Sequence, residues 1–142
     1  MDTAVKNPAL ATAAQTTLRV VIGFLFAAHG WQKFFQFTLD GTTAAFGQMG
    51  VPAAGLVAPV VATLEIVGGI ALILGVLTRI FAVLLTVNML GALFMVHAPA
   101  GVFVEAGGFE LVLALAGGAA AIALLGAGRI SVDRFIPARI AA

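Results

Sequence analysis

Residues 41–64, 80–104 and 111–128 contain no Asp, Glu, Lys or Arg, and neither does 66–78; the stretch 19–37 carries two, Arg19 and Lys33. A helix rises about 1.5 Å per residue, so crossing a bilayer core takes roughly 20 mostly apolar residues. The pattern predicts four transmembrane helices, near 17–37, 56–76, 80–97 and 108–125. Three connections join them. The longest, 38–55, holds a segment at 41–50 that reads as a short amphipathic helix, with Phe46 and Met49 dipping into the membrane interface and Gly50 and Pro52 ending it. The second is a tight turn at 77–79, and the third, 98–107, contains Pro99, Gly101 and Glu105. The expected fold is all-α: an integral membrane four-helix bundle with an interfacial segment between helices 1 and 2, a single domain over residues 1–142.

Composition strengthens this reading. The chain is 62% hydrophobic and only 9% charged, where soluble domains carry about 25% charged residues. An ordinary soluble enzyme or a disordered tail is excluded. Seven Lys and Arg against six Asp and Glu leave no basic face for nucleic acid. Cysteine is absent, which removes disulfides, thiolate zinc sites, Cys-ligated iron–sulfur clusters, C-x-x-C redox pairs and covalent haem attachment.

Basic residues set the expected orientation in the cell's inner membrane. Lys6, Arg19, Arg79, Arg129, Arg134 and Arg139 fall on the side of the termini and second connection, and Lys33 alone falls near the other face. Both termini are therefore expected in the cytoplasm, with Trp31, Phe34, Phe35 and Phe37 marking the outer interface. The apolar N-terminal stretch continues through 31–37, so it reads as a retained span rather than a cleaved signal peptide.

An ionisable residue at a helix centre costs about 2.5–3.5 kcal/mol, so each one inside a span asks for a reason. Arg19 and Arg79, near cytoplasmic ends, are expected to snorkel to the interface. His29 and Lys33 on the first span, Glu65 on the second, His97 on the third and Glu110 on the fourth all belong to the outer half. At 100° per residue, Arg19, Gly23, Phe26, Gly30 and Lys33 share one stripe with His29 at its edge. Glu65 shares a face with Gly69, Leu72, Val76 and Arg79. Glu110 heads a ladder of Ala114, Gly117 and Ala121. Small residues beside a charge point to close helix approach, so Lys33, Glu65 and Glu110 are expected to face inward. Asn88 and His97 lie nine residues apart on opposite faces, so only one of them should point straight in.

Five such residues form a candidate polar pocket for a ligand or for proton exchange: His29, Lys33, Glu65, His97 and Glu110. Phe26 and Trp31 are candidates to pack against a ring, although Trp31 equally suits an interfacial anchor. Two carboxylates and one ammonium leave surplus negative charge, which calls for a proton shared between the carboxylates or for a charged histidine. The bland alternative is an ion-pair network that locks the helices together. No metal is expected: the ligand-type residues lack Glu-x-x-His or His-x-x-x-His spacing, and Lys33 would repel a cation. A haem between His29 and His97 would place His97 too near the membrane surface. Gly68, Gly69, Gly75, Gly91, Gly117 and Gly118 read as helix-packing surfaces, and the run 126–128 as a helix cap rather than a phosphate loop.

One arrangement recurs along the whole chain: Arg19 with the segment 30–34 (GWQKF), 46–52 (FGQMGVP), 65–69 (EIVGG), 75–79 (GVLTR), His97 with Gly101, 107–110 (GGFE) and 126–133 (GAGRISVD). In this order and spacing it resembles the DoxX family of small four-span membrane proteins. Ala127 stands where that family often has proline. The resemblance implies a four-helix membrane fold and an association with redox work, since the related DoxD proteins look like membrane subunits of a thiosulfate:quinone oxidoreductase. The family's recurrent polar positions map onto Lys33, Glu65, His97 and Glu110.

Two functions follow as expectations. In the first, the chain is a quinone-linked redox subunit with no intrinsic cofactor. A donor substrate or a redox partner protein supplies the electrons, and the polar pocket handles quinone and protons. In the second, it is a non-enzymatic membrane anchor or assembly subunit whose polar network is structural. A transporter would need to form a homo-oligomer. The sequence assigns no catalytic residue, and the bilayer is the one partner it makes certain.

Overall fold

The computed structural model describes residues 7–137 and Ile140; Lys6 and Arg139, counted above for orientation, lie outside the described residues. The described residues form five α-helices and no strand: α1 (Pro8–Trp31), α2 (Leu39–Gln48), α3 (Ala54–Leu74), α4 (Thr78–Ala92) and α5 (Glu110–Leu125). Together with the turns that prolong them, α1, α3 and α4 are long and apolar enough to cross a membrane, whereas α5 is a shorter apolar helix of 16 residues. The expected helical membrane bundle is present, with α2 as its interfacial segment.

Local chemistry sets the helix ends. Helix α1 begins well before position 17 because Asn7 caps it, accepting the amides of Ala9 and Leu10 at 3.0 and 3.4 Å, and Pro8 occupies the first turn where no N–H is needed. Thr38 caps α2 through Oγ1 and the Gly41 amide, and the chain leaves α2 at Gly50, whose φ is +81°. Helix α3 closes at Gly75, in the left-handed region at φ +73°, while the Val76 amide reaches back to the Ala71 carbonyl at 2.9 Å. That pairing satisfies carbonyls the helix end would otherwise leave open.

Two helices widen into π turns at their C-terminal ends: α1 over Gln32–Gln36 and α4 over Leu93–His97. Such turns are rare and concentrate at functional sites. Each changes which face its last residues present.

In lipid, helices are drawn together by close packing rather than by hydrophobic exclusion. The α1–α3 seam shows this most clearly. A Cβ on Gly23 would sit 2.6 Å from the Gly69 carbonyl oxygen, and one on Gly30 would sit 2.6 Å from the Ile66 nitrogen. Gly69 meets the Ala27 backbone, Gly68 receives Leu85, and Gly118 receives Ile22. Gly91 and Gly117 meet nothing, so they are not packing surfaces as expected. The core joins Ile22 and Phe26 of α1, Leu72 of α3, Leu85 and Met89 of α4, and Leu115, Ala119 and Ile122 of α5.

The inward face of α5 corrects the sequence expectation. Val112, Leu115, Ala116, Ala119 and Ile122 are buried, whereas Ala114 and Gly117 of the Glu110 ladder are exposed. The helix is apolar on every side and rich in Ala and Gly, so small residues could not single out one face. Arg19 is a second correction. It does not snorkel. It is 3% exposed, and its guanidinium donates to the carbonyls of Ala127 and, at 2.6 Å, Ile130. Arg79 is exposed, as expected.

Candidate functional site

The Lys33 end of the bundle encloses a cavity of about 430 Å³ whose walls come from α1, α2, α3, α4, α5 and the loop before α5. Its lining is mostly apolar. Phe26, fully buried, belongs to the wall, as do Phe46 of α2 and Met49 just beyond its end. Four of the candidate residues also line it: His29, Lys33, Glu65 and His97. Such volumes and such sparse polar groups are typical of small-ligand sites.

Lys33 and Glu65 form the only ion pair among the described residues. Lys33 Nζ donates to Glu65 Oε2 at 2.6 Å, and the two side chains are 18% and 3% exposed. Asn88 Nδ2 donates to the other carboxylate oxygen at 3.2 Å. The carboxylate is thus held by two donors from two different helices, while Lys33 keeps two further N–H donors. Glycine explains why the pair can form. The close α1–α3 approach at Gly30 brings the end of α1 against the middle of α3 just where Lys33 and Glu65 emerge.

Lys33 lies within the first π turn, and that turn is fastened from above. Thr42 of α2, 3% exposed, donates its hydroxyl to the Lys33 carbonyl at 3.0 Å. The sequence offered little signal for Thr42, one of several threonines in the chain. It also set Asn88 and His97 on opposite faces, yet both line the cavity. The π turn over Leu93–His97 accounts for this. Five residues advancing roughly 80° rather than 100° each turn His97 back by about a quarter circle.

Both histidines are anchored alike. His29 Nδ1 lies 2.7 Å from the Leu25 carbonyl, and His97 Nδ1 lies 2.7 Å from the Gly107 carbonyl. A carbonyl can only accept, so each Nδ1 carries a proton, and each Nε2 is left without a protein partner among the described residues. Such an imidazole can accept a hydrogen bond, or take up a proton and return it.

Two candidates stand elsewhere. Glu110 is not part of the cavity wall: its carboxylate accepts the Val104 amide at 2.7 Å and its own amide donates to the Val102 carbonyl at 2.8 Å. It clasps the loop at the start of α5, where the helix dipole favours a negative charge. The surplus carboxylate therefore disappears from the pocket, and Glu65 is matched one to one by Lys33. Trp31 is 55% exposed and stacks on Phe35 with ring centroids 5.6 Å apart, away from the cavity. Among the described residues, no three His, Asp or Glu side chains converge as metal ligands would.

The opposite end of the bundle carries a second polar cluster. Asp133 accepts the amides of Leu77 at 2.6 Å and Thr78 at 2.9 Å, and its own amide donates to the Gly75 carbonyl at 2.8 Å. A residue 55 positions away in the chain thus caps α4. Arg19 binds the backbone of the same tail, and Ser131 Oγ closes it by donating to the Gly128 carbonyl at 2.8 Å.

Comparison with known proteins agrees with this architecture. Over 119 residues the chain is 34% identical to the Bacillus subtilis protein named "Putative oxidoreductase CatD", with 84% of each chain covered. It is 33% identical to the Escherichia coli inner membrane protein YqjF, covering 83% of this chain and 88% of that one. A Haemophilus influenzae protein without an assigned function is 44% identical over 80 residues, 56% of each chain. No solved structure matches. The DoxX family pattern spans residues 14–98, which include most of α1, all of α2, α3 and α4, and His29, Lys33, Glu65, Asn88 and His97 of the cavity. The chain belongs to the DoxX family of membrane proteins.

Proposed function

We propose that this protein is a quinone-linked redox subunit whose outer-half cavity takes a quinone headgroup. The observation that carries the reading is one apolar cavity lined by the Lys33–Glu65 pair, Asn88 and two imidazoles anchored through Nδ1. A quinone ring needs apolar walls, a donor to a carbonyl oxygen and groups that pass protons. Phe26 serves the first need, a spare Lys33 N–H the second, and His29 and His97 the third. Reducing a quinone to a quinol takes two electrons and two protons. The protons pass through the imidazoles, and the electrons come from a donor substrate or a redox partner protein. Glu65 then acts as the counter-charge that orients Lys33. The word "oxidoreductase" in the name of the Bacillus subtilis relative supports the same direction.

The non-enzymatic anchor is the second reading. It is favoured by the closed contact among Lys33, Glu65 and Asn88, in which the carboxylate is already satisfied. Titrating a quinone analogue into the purified protein in nanodiscs separates the two. Saturable binding in wild type, weakened about tenfold in Lys33→Met, is the expected result. No saturable binding, or equal binding by the variant, leaves the anchor.

We further place both termini in the cytoplasm. Supporting this, Arg79 approaches Gly126, and the exposed Arg129 and Arg134 flank the tail that Arg19 binds, so four arginines share one end of the bundle, opposite Lys33. An impermeant thiol reagent on intact cells should label A44C and not F135C. The reverse pattern inverts the topology.

A further inference from the structure

A second recess lies beside the first. It is an open, almost wholly apolar groove of about 540 Å³, lined by Leu56, Pro59, Val60, Thr63, Leu64 and Val67 of α3 and by Phe81 of α4. Helix α3 divides the two spaces. Val57, Val61 and Glu65 border the polar cavity, and Leu56, Val60 and Leu64, the residues immediately before each, border the groove.

Helices α3 and α4 touch where Gly68 receives Leu85. The Asn88–Glu65 hydrogen bond joins them once more. Outward of that bond the cavity separates them, with Val57 and Val61 on one wall and Gly91 and Met95 on the other. Val87 is 62% exposed although it lines the cavity, and Gly91 has no neighbour to meet a Cβ. The α3–α4 seam is therefore open to the bilayer just outward of the Lys33–Glu65 pair. The groove runs along α3 past that opening, from Leu56 to Val67, about 17 Å of helix.

From this juxtaposition we infer that the ligand is a quinone with a long isoprenoid tail, which enters through the α3–α4 seam and lays its tail in the groove beside Val60 and Val67. This rests on the reading of the cavity as a quinone-headgroup site. The polar atoms all lie on the cavity side. On the groove side the one polar side chain is Thr63, so hydrocarbon fits there and a second polar group does not. Tail contact also explains why binding would favour a membrane-resident quinone over a water-soluble one, since burying each methylene adds favourable free energy.

The test compares two quinone analogues with the same headgroup, one tail-less and one isoprenylated, by titration into the protein in nanodiscs with lipid partitioning corrected. Wild type should bind the tailed analogue at least tenfold more tightly. Val60→Trp fills the groove from a position that is 56% exposed, and it should erase that advantage while leaving tail-less binding unchanged. Equal affinities in wild type, or an advantage that survives Val60→Trp, overturn the tail inference and leave the headgroup site standing. If neither analogue binds, the headgroup reading falls and the tail inference with it.

Discussion

The bundle carries a polar cluster at each end, and the two are built on opposite plans. At the Asp133 end, Asp133 and Arg19 direct their charge at backbone groups: the Leu77 and Thr78 amides for one, the Ala127 and Ile130 carbonyls for the other. These are groups that helix ends leave open, and the space around them is filled. A Cβ on Gly75 would stand 2.5 Å from Ser131 Cβ and 2.9 Å from Arg19 Nη1. At the Lys33 end, Lys33 and Glu65 direct their charge at each other, beside a cavity. No helix end depends on that pair. The first cluster is explained by the backbone groups it caps, whereas the second keeps spare donors and two open imidazole nitrogens that no backbone group uses.

The contrast can be broken at the Asp133 end first, where the largest effect is expected. Asp133→Ala removes two charge-assisted hydrogen bonds to the α4 start, at about 1.5–3 kcal/mol each. It should lower thermal stability severely, read by melting in detergent, with Asp133→Asn clearly milder. Quinone-analogue binding by whatever fraction stays folded should be unchanged. A mild effect of Asp133→Ala would mean that water replaces the cap.

At the Lys33 end, Glu65→Leu leaves Lys33 without its counter-charge and should cost about 3–5 kcal/mol. Adding Lys33→Met in the same chain should recover most of that loss, because a pair replaced by apolar groups is often neutral. The recovered double variant should still fail to bind the quinone analogue. Stability recovered together with binding would assign the pair a purely structural role.

The smallest stability effects sharpen the boundary of the site. His29→Phe and His97→Phe each give up one hydrogen bond to a carbonyl, about 1 kcal/mol, yet each should weaken analogue binding. Trp31→Ala, on the exposed rim, should change neither binding nor stability by more than about 0.5 kcal/mol. A binding loss in Trp31→Ala comparable to that in the histidine variants would move the site outward to the interface.

The chain's transfer energetics are local, so the hydrophobic runs, the short interfacial helix at 39–48 and the isolation of Lys33 and Glu65 in apolar surroundings could all be read along the sequence. The inward stripe of Arg19, Gly23, Phe26 and Gly30 was legible for the same reason, because one face of α1 gathers the small and charged residues. Tertiary structure decided the rest. In α5 the apolar residues surround the helix, so only packing against α1 and α4 selected Leu115 and Ala119 over Ala114 and Gly117, and that choice carried Glu110 away from the cavity. The two π turns rotate Lys33 and His97 relative to any uniform helical wheel, and a period of 3.6 cannot foresee a turn that departs from it. Asp133 caps a helix 55 residues before it, and Arg19 is buried rather than snorkelling because the tail brings it carbonyls. Burial from water is a property each residue carries with it, whereas a partner for a buried charge exists only once the chain has folded.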